Sequence, residues 1–155
     1  MSTQEDRNPC AEHELLSFRV AEQEYSVDIM AVREIRGWAK ATPLPRAPAY
    51  VCGVINLRGT VLPIVDLAAR LGLERGQRTD RDVIIVVQIR HHTLGLLVEA
   101  VSDILAIPRE ALQPPPEMSA AGARGFVSAL TIHEGRMIRV LDLDKVLPED
   151  RPEAA

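Results

Sequence analysis

The sequence predicts a mainly β protein in which two small, similar five-stranded barrels pack together, with a few short helices. Two observations support this fold class. Short apolar runs bounded by glycine, proline and polar residues recur along the whole chain, as in strands joined by tight turns. The second half of the chain also repeats the pattern of the first half. About five short strands per copy are too few for an open sheet with protected edges, whereas closing each set into a barrel hides those edges.

The first half begins with a predicted hairpin. Apolar residues alternate with polar ones at 16–20 and again at 25–29, on either side of a polar turn. A helical turn at 30–32 and an extended stretch at 34–36 follow. The three prolines within Thr42–Pro48 then exclude a regular helix or a central strand, so this segment is predicted to be a connector.

The second hairpin of this half contains an arginine in its turn. Val54–Leu57 and Thr60–Val65 are predicted strands, and Gly59 between them can take a positive φ without steric cost. Asp66 occupies an N-cap position before a helix of one or two turns. Arg58 is therefore expected on an exposed turn between two buried strands.

The second half contains the same series of elements. Val83–Ile89 is a near-continuous apolar run, which is typical of a strand buried on both faces, and Thr93–Glu99 is its predicted partner. After a proline-rich connector, Phe126–Ile132 and Met137–Leu141 form a predicted hairpin. Asp142–Leu147 is expected to be a closing helical turn.

A fixed offset in residue number relates the two halves. An offset of 69 superimposes the first hairpin and the strand after it, and an offset of 76 superimposes the second hairpin and its helix. The apolar framework matches, but Arg58 falls on Glu134, and a turn that differs in charge between matching copies favours a surface role. The equivalent pairs are Phe18 and Val87, Tyr25 and Leu94, Val27 and Leu96, Ile29 and Val98, Val32 and Val101, Glu34 and Asp103, Gly59 and Gly135, Leu62 and Ile138, Ile64 and Val140, and Asp66 and Asp142.

The composition argues against several classes of function. A net charge of −4 and only 3% aromatic residues disfavour nucleic-acid binding, and no apolar run is long enough for a membrane span. Residues 1–14 are polar and acidic, without the basic start and apolar middle of a signal peptide. We therefore expect a cytoplasmic protein with a disordered tail at 1–14 and a second tail at 148–155.

Residues that could support catalysis or bind a metal are sparse. No histidine has a serine or cysteine nearby in the pattern of an activated nucleophile, and the adjacent His91 and His92 would point to opposite faces of a strand. Asp66 and Asp142 could be paired carboxylates, but capping of two short helices explains both. The sequence therefore predicts no enzyme activity, no cofactor and no metal site.

One stretch resembles a known family. Asn56-Leu57-Arg58-Gly59, followed by Val61, Pro63, Val65, Asp66 and Leu67, is similar to the signature of the CheW family of bacterial chemotaxis coupling proteins. The resemblance covers roughly Leu15 to Leu147. The flanking segments that share it are Tyr25–Ile29, Val32–Gly37, Thr42–Pro45, Pro48–Val51, Gly95–Glu99 and Val101–Leu105.

The resemblance implies a fold and a domain organisation. CheW-like domains consist of two five-stranded, SH3-like β-barrel lobes. A CheW-like domain is therefore expected at 15–147, with one lobe at roughly 15–73 and the other at roughly 82–147. Exchange of strands between the lobes is possible in this organisation.

The resemblance also implies a function without catalysis. Proteins of the family are adaptors that couple the cytoplasmic tips of chemoreceptors to the regulatory domain of the histidine kinase CheA. This chain would then be recruited from the cytoplasm to membrane-associated receptor arrays, as a monomer or with weak self-association. The partner-binding positions that match the family's motifs are Val32, Glu34, Gly53, Asn56, Arg58 and Gly59.

Four further positions complete the predicted partner-binding set. Arg36 lies on the same strand as Glu34, and with Arg58 these residues are expected to form the charged rim of an apolar contact surface. In the family a receptor helix lies in the groove between the lobes. The candidates for this groove are Ile29, Val98 and Val101, for which an ordinary place in the core is the alternative.

Two alternative functions remain open at the level of sequence. The same fold could be the adaptor of another chemosensory array, for example one for twitching motility, because the partner sets the pathway. A small-ligand-binding β-barrel is the alternative from another class. A polar cavity with converging titratable groups would favour it, whereas an apolar groove as wide as one helix would favour the adaptor.

Overall fold

The computed structural model describes residues 12–73, 81–114 and 125–147, and strands account for most of these ranges. Short 3₁₀ turns at Ile29–Ala31 and Arg109–Ala111 connect some of them. The other elements are β1 (Glu12–Val20), β2 (Gln23–Asp28), β3 (Val32–Gly37), β4 (Val51–Leu57), β5 (Thr60–Asp66), α1 (Leu67–Arg70), β6 (Val83–Ile89), β7 (His92–Val98), β8 (Ala100–Pro108), β9 (Val127–His133), β10 (Arg136–Leu141) and α2 (Leu143–Val146).

Three hairpins reverse direction through two residues that both have positive φ. These residues are Ala21–Glu22 (φ 52° and 68°), Arg58–Gly59 (53° and 87°) and Glu134–Gly135 (54° and 78°). Two-residue turns of this type I′ geometry match the right-handed twist of the flanking strands. The glycine at the second position of the last two turns fits this requirement, because glycine adopts positive φ without a steric cost.

The strands form two five-stranded sheets. The order is β8-β1-β2-β10-β9 in the first sheet and β3-β6-β7-β5-β4 in the second, and this confirms the predicted fold class. One backbone bridge joins the two edges of each sheet: Thr42, which follows β3, pairs with Val54 in β4, and Gln113, which follows β8, pairs with Leu130 in β9. Each sheet therefore curls into a small barrel with a seam between its two edge strands.

The two repeats exchange their first hairpins. β1 and β2 pair with β8 and β10, whereas β6 and β7 pair with β3 and β5. The strand register preserves the internal repeat. Ser26 pairs with Val140 in the first sheet, and Gly95 pairs with Ile64 in the second. Ser26 is equivalent to Gly95 at the offset of 69, and Ile64 is equivalent to Val140 at the offset of 76. Each sheet therefore contains one hairpin from the other half of the chain.

This exchange means that the sheets do not follow the sequential bounds 15–73 and 82–147. The chain crosses from the first sheet to the second at Ile29–Ala31 and returns at Glu99, between β7 and β8. How the chain divides into domains stays a prediction.

The N-terminal strand is longer than expected. Residues 12–14 were predicted to be part of a disordered tail, but they pair with Pro108, Ile107 and Ala106 of β8. Their polar side chains gave no strand signal, but pairing with β8 uses only backbone groups. Residues 1–11 and 148–155 lie outside the described residues.

Apolar side chains form three clusters. A shared core lies between the two sheets, and each sheet also encloses a smaller core of its own. The strand β6 contributes side chains to two of these clusters. Ile85 and Val87 belong to the shared core, whereas Ile84 and Val86 belong to the core of the second sheet. This explains the continuous apolar run of β6, which is buried on both faces as predicted.

Candidate functional site

The edge strand β3 presents different residues on its two faces. Glu34 and Arg36 lie opposite Val86 and Ile84 of β6, on the face of the second-sheet core. Ile35 lies opposite Ile85 on the other face, and 48% of its surface is exposed. The strand therefore places an acid and a base at the seam of the second sheet and an aliphatic side chain outside it.

Arg58 completes a charged cluster at this seam. Its Nη2 donates a hydrogen bond to Glu34 Oε1 at 2.5 Å, and Arg36 Nη1 donates to Glu34 Oε2 at 3.3 Å. Arg58 is 70% exposed, whereas Glu34 is 28% exposed. Because Glu34 is on β3 and Arg58 is on the β4–β5 turn, the ion pair connects the two sides of the seam, as the sequence hypothesis of a charged group predicted.

The turn that presents Arg58 is stabilised by its neighbours. Asn56 Oδ1 accepts a hydrogen bond from the backbone N–H of Gly59 at 2.9 Å. A Cβ at Gly59 would contact nothing within 4 Å, so conformation rather than space requires a glycine at φ 87°. Asn56 and Gly59 therefore stabilise the backbone conformation of the turn that carries Arg58.

The two guanidinium groups lower the pKa of the Glu34 carboxyl. The hydrogen bond from Arg58 is the largest cause, and the bond from Arg36 adds to it, while partial desolvation acts in the opposite direction. Glu34 is therefore ionised at neutral pH, and the charged cluster is intact there.

This lowered pKa gives a testable pH dependence. A carboxyl whose pKa is lower in the folded state stabilises the fold above its unfolded pKa, and this contribution is lost as the pH falls through the folded pKa. We expect the difference in unfolding free energy between wild type and Glu34→Gln to be constant above about pH 4.5, the ordinary value, and to shrink below it. Urea unfolding at a series of pH values measures this difference, and a difference that persists unchanged at the lowest pH would contradict it.

Gly53 has a structural role in this region. Its φ is 146°, and a Cβ there would lie 2.3 Å from the backbone oxygen of Thr42. The close approach belongs to the Thr42–Val54 bridge, where both backbone hydrogen bonds are 2.8–2.9 Å long. Gly53 is buried, so it can affect a partner only through the shape of the seam.

The three groove candidates, together with the motif position Val32, lie at the two places where the chain crosses between the sheets. Ile29 and Val32 flank the first crossing, and Val98 and Val101 flank the second. Ile29, Val32 and Val101 are partly buried against the shared core, whereas Val98 is fully buried within it. Val98 therefore offers no surface to a partner, and its place in the core accounts for it.

Two exposed apolar side chains near the charged cluster in the sequence were not among the predicted site residues. Val61 is 65% exposed and lies opposite Asn56 in the β4–β5 hairpin, and Trp38, just after β3, is 41% exposed. The alternation of residues in β5 could have predicted the exposure of Val61, because Leu62 and Ile64 face inward and leave Val61 outside. Ile35, Trp38 and Val61 therefore place exposed apolar side chains on or next to β3 and β5, close in sequence to Glu34 and Arg58.

A small cavity of about 160 Å³ lies next to this region. Its walls are mainly apolar, and Lys40 and Cys52 are the polar or reactive residues among them. It does not have the converging titratable groups expected of a polar ligand site. Its lining residues are Trp38, Ala39, Lys40, Ala41, Cys52, Ile64 and Leu97.

The described part of the chain contains no group of three or more histidine, cysteine, aspartate or glutamate side chains placed to hold a metal ion. Among the same residues, the helices are all too short to span a bilayer.

Comparison with known proteins identifies the family. The model of the CheW-like domain matches residues 14–151. The chemotaxis protein CheW of Rhizobium meliloti (strain 1021) is 55% identical over 142 residues, which are 92% of each chain. The probable chemotaxis protein CheW of Rhizobium etli is 51% identical over 93% of each chain.

A solved structure agrees with the fold. The crystal structure of the scaffolding protein TtCheW from Thermoanaerobacter tengcongensis superimposes with a TM-score of 0.79 at 30% identity, and the match covers 84% of this chain and 88% of that one. The resemblance seen in the Asn56–Gly59 motif is thus confirmed along nearly the full length, and the chain belongs to the family of CheW-like proteins.

Proposed function

We propose that this protein is a non-enzymatic adaptor that couples the cytoplasmic tips of chemoreceptors to the histidine kinase CheA. The observation that carries the proposal is the hydrogen-bonded Glu34–Arg58 pair at an exposed seam, whose strands also carry exposed apolar side chains. Protein interfaces commonly combine an apolar centre with charged groups that set register. The names of the two Rhizobium relatives and the scaffolding role of TtCheW support the same conclusion.

The two partners use different surfaces in this proposal. The regulatory domain of the kinase binds at the seam of the second sheet, where Arg36, Asn56, Arg58 and Gly59 surround Glu34. The receptor tip, a pair of helices, binds along the crossings between the sheets. Its contacts there are Ile29, Val32 and Val101, which are partly exposed.

The adaptor works by holding its partners close together. Binding both at once raises the effective concentration of kinase near receptor, and the geometry of the assembly transmits the state of the receptor. The proposal places the protein in the cytoplasm, at the membrane-associated receptor arrays.

Reversal of charge at Arg58 tests the proposal. Arg58→Asp replaces an exposed cation at the rim of the contact surface by an anion, and a charge of the wrong sign facing the partner costs several kcal/mol of binding free energy. We expect at least a tenfold loss of affinity for the purified kinase regulatory domain, measured by calorimetry, with a nearly unchanged melting temperature. Wild type should also recover a histidine kinase and chemoreceptors from a lysate, identified by mass spectrometry, and the variant should not.

Arg90→Asp is a matched control. Arg90 is also a turn residue at positive φ (55°), is 62% exposed and forms an ion pair of 2.8 Å with Asp144. The control should bind the kinase domain as wild type does. Equal affinity for Arg58→Asp and wild type would contradict the proposal, and a large loss of stability in Arg58→Asp would make Arg58 a structural residue.

A further inference from the structure

Arg70, at the end of α1, contacts elements of both sheets. It follows β5 of the second sheet, and its guanidinium donates hydrogen bonds to the carbonyl oxygens of Lys145, Val146 and Leu147, at the end of α2, over 2.9–3.0 Å. α2 follows β10 of the first sheet. These carbonyls are the ones that a helix leaves without partners at its C-terminal end.

Two aromatic rings also make cation–π contacts with the Arg70 guanidinium. The Arg70 Cζ atom lies 4.4 Å from the centre of the Tyr50 ring and 5.0 Å from that of Phe126. Tyr50 directly precedes β4 of the second sheet, and Phe126 directly precedes β9 of the first. A cation over the faces of two aromatic rings is attracted to both of them.

The internal repeat explains why these residues meet. Tyr50 and Phe126 are equivalent at the offset of 76, and each accepts a backbone hydrogen bond from the equivalent residue Asp66 or Asp142. Arg70 is equivalent to Val146, the residue whose carbonyl it binds. Arg70 therefore lies where the two repeats contact each other, and its equivalent in the second repeat is apolar.

We propose that Arg70 is a positioning residue that fixes the orientation of the two barrels and, through it, the shape of the receptor-binding surface. This inference rests on the proposed function. The receptor surface combines Ile29 and Val32, beside the first crossing, with Val101, beside the second, so it depends on how the sheets are placed. The Glu34–Arg58 cluster lies within the second sheet alone and does not depend on that placement.

The test compares binding of the two partners to Arg70→Gln. We expect affinity for a purified receptor-tip fragment to fall about tenfold, within the range for residues that modulate coupling without touching the ligand. Affinity for the kinase regulatory domain should stay within about twofold of wild type. Arg136→Gln is the matched control, because Arg136 pairs with Glu24 inside the first sheet at 2.8 Å and should affect neither.

A distance measurement separates positioning from simple loss of stability. Spin labels at Arg19 in the first sheet and Thr93 in the second should give a broader distance distribution in Arg70→Gln, measured by pulsed electron resonance with the native cysteines replaced. Hydrogen exchange within each sheet should be unchanged. If Arg70→Gln folds poorly, Phe126→Leu removes one ring and keeps the hydrogen bonds, and it should show the same effects to a smaller extent.

Two results would contradict the positioning role of Arg70, and a third would contradict the proposed function. An equal loss of affinity for both partners, or an unchanged distance distribution, overturns the positioning role of Arg70. If wild type binds neither partner, the proposed function fails, and the distance distribution still decides whether Arg70 orients the barrels.

Discussion

Gly53→Ala is expected to lower the free energy of unfolding by about 3 kcal/mol or more, from the sum of overpacking and backbone strain. The added Cβ would lie 2.3 Å from Thr42 O and 2.7 Å from Thr42 C, and both are backbone atoms that cannot rotate away. The residue would also have to hold φ at 146°, which alanine rarely adopts. The bridge between Thr42 and Val54 would open, and with it the closure of the second barrel.

Gly37→Ala is the control for this substitution. Gly37 ends β3 and is exposed, and a Cβ added there would meet no other atom within 4 Å. Urea unfolding should therefore give nearly the wild-type value for Gly37→Ala. If both variants were equally stable, the bridge would not require a glycine.

Ile85→Ala is expected to cost about 2–5 kcal/mol, the usual range for a large aliphatic residue removed from a core. Ile85 is fully buried in the shared core, which contains side chains of both sheets. Loss of its packing should thus destabilise the two sheets together. Hydrogen exchange should show faster exchange in strands of the first sheet as well as the second.

Ile35→Ala is the control for this substitution. Ile35 lies opposite Ile85 in the register of β3 and β6, but it is 48% exposed. Ile35→Ala should cost about 1 kcal/mol or less, because about half of the Ile35 surface already lies in water in the folded protein. Faster exchange confined to the second sheet in Ile85→Ala would mean that the two sheets are stable independently.

Much of the fold could be predicted from local patterns. The continuous apolar run of β6 identified a strand buried on both faces, and the two fixed offsets in residue number identified the repeat. What the sequence could not specify was which copy of each hairpin pairs with which sheet. Because the repeats are alike, β1–β2 fits either neighbour, and only the tertiary structure selects β8 and β10.

The candidate site was predicted as far as short-range signals allow. Glu34, Arg36 and Arg58 were expected to lie together, since two share a strand and the third has a distinctive turn, and the structure brings them within hydrogen-bond distance. Val98 shows where prediction from sequence patterns fails, because an aliphatic residue in a core gives the same pattern as one in a groove. Arg70 gave no signal at all: its acceptors are 75–77 residues away in the chain.

The exchange of hairpins has a consequence for synthesis on the ribosome. The first hairpin is complete at residue 28, but its neighbour β8 ends only at residue 108. At about 5–20 residues per second, the nascent hairpin remains for roughly 4–16 s with both of its outer strand edges unpaired and its apolar residues uncovered. Folding of the first sheet therefore cannot finish until nearly all of the chain has been translated, and early release of a truncated product would leave an aggregation-prone fragment.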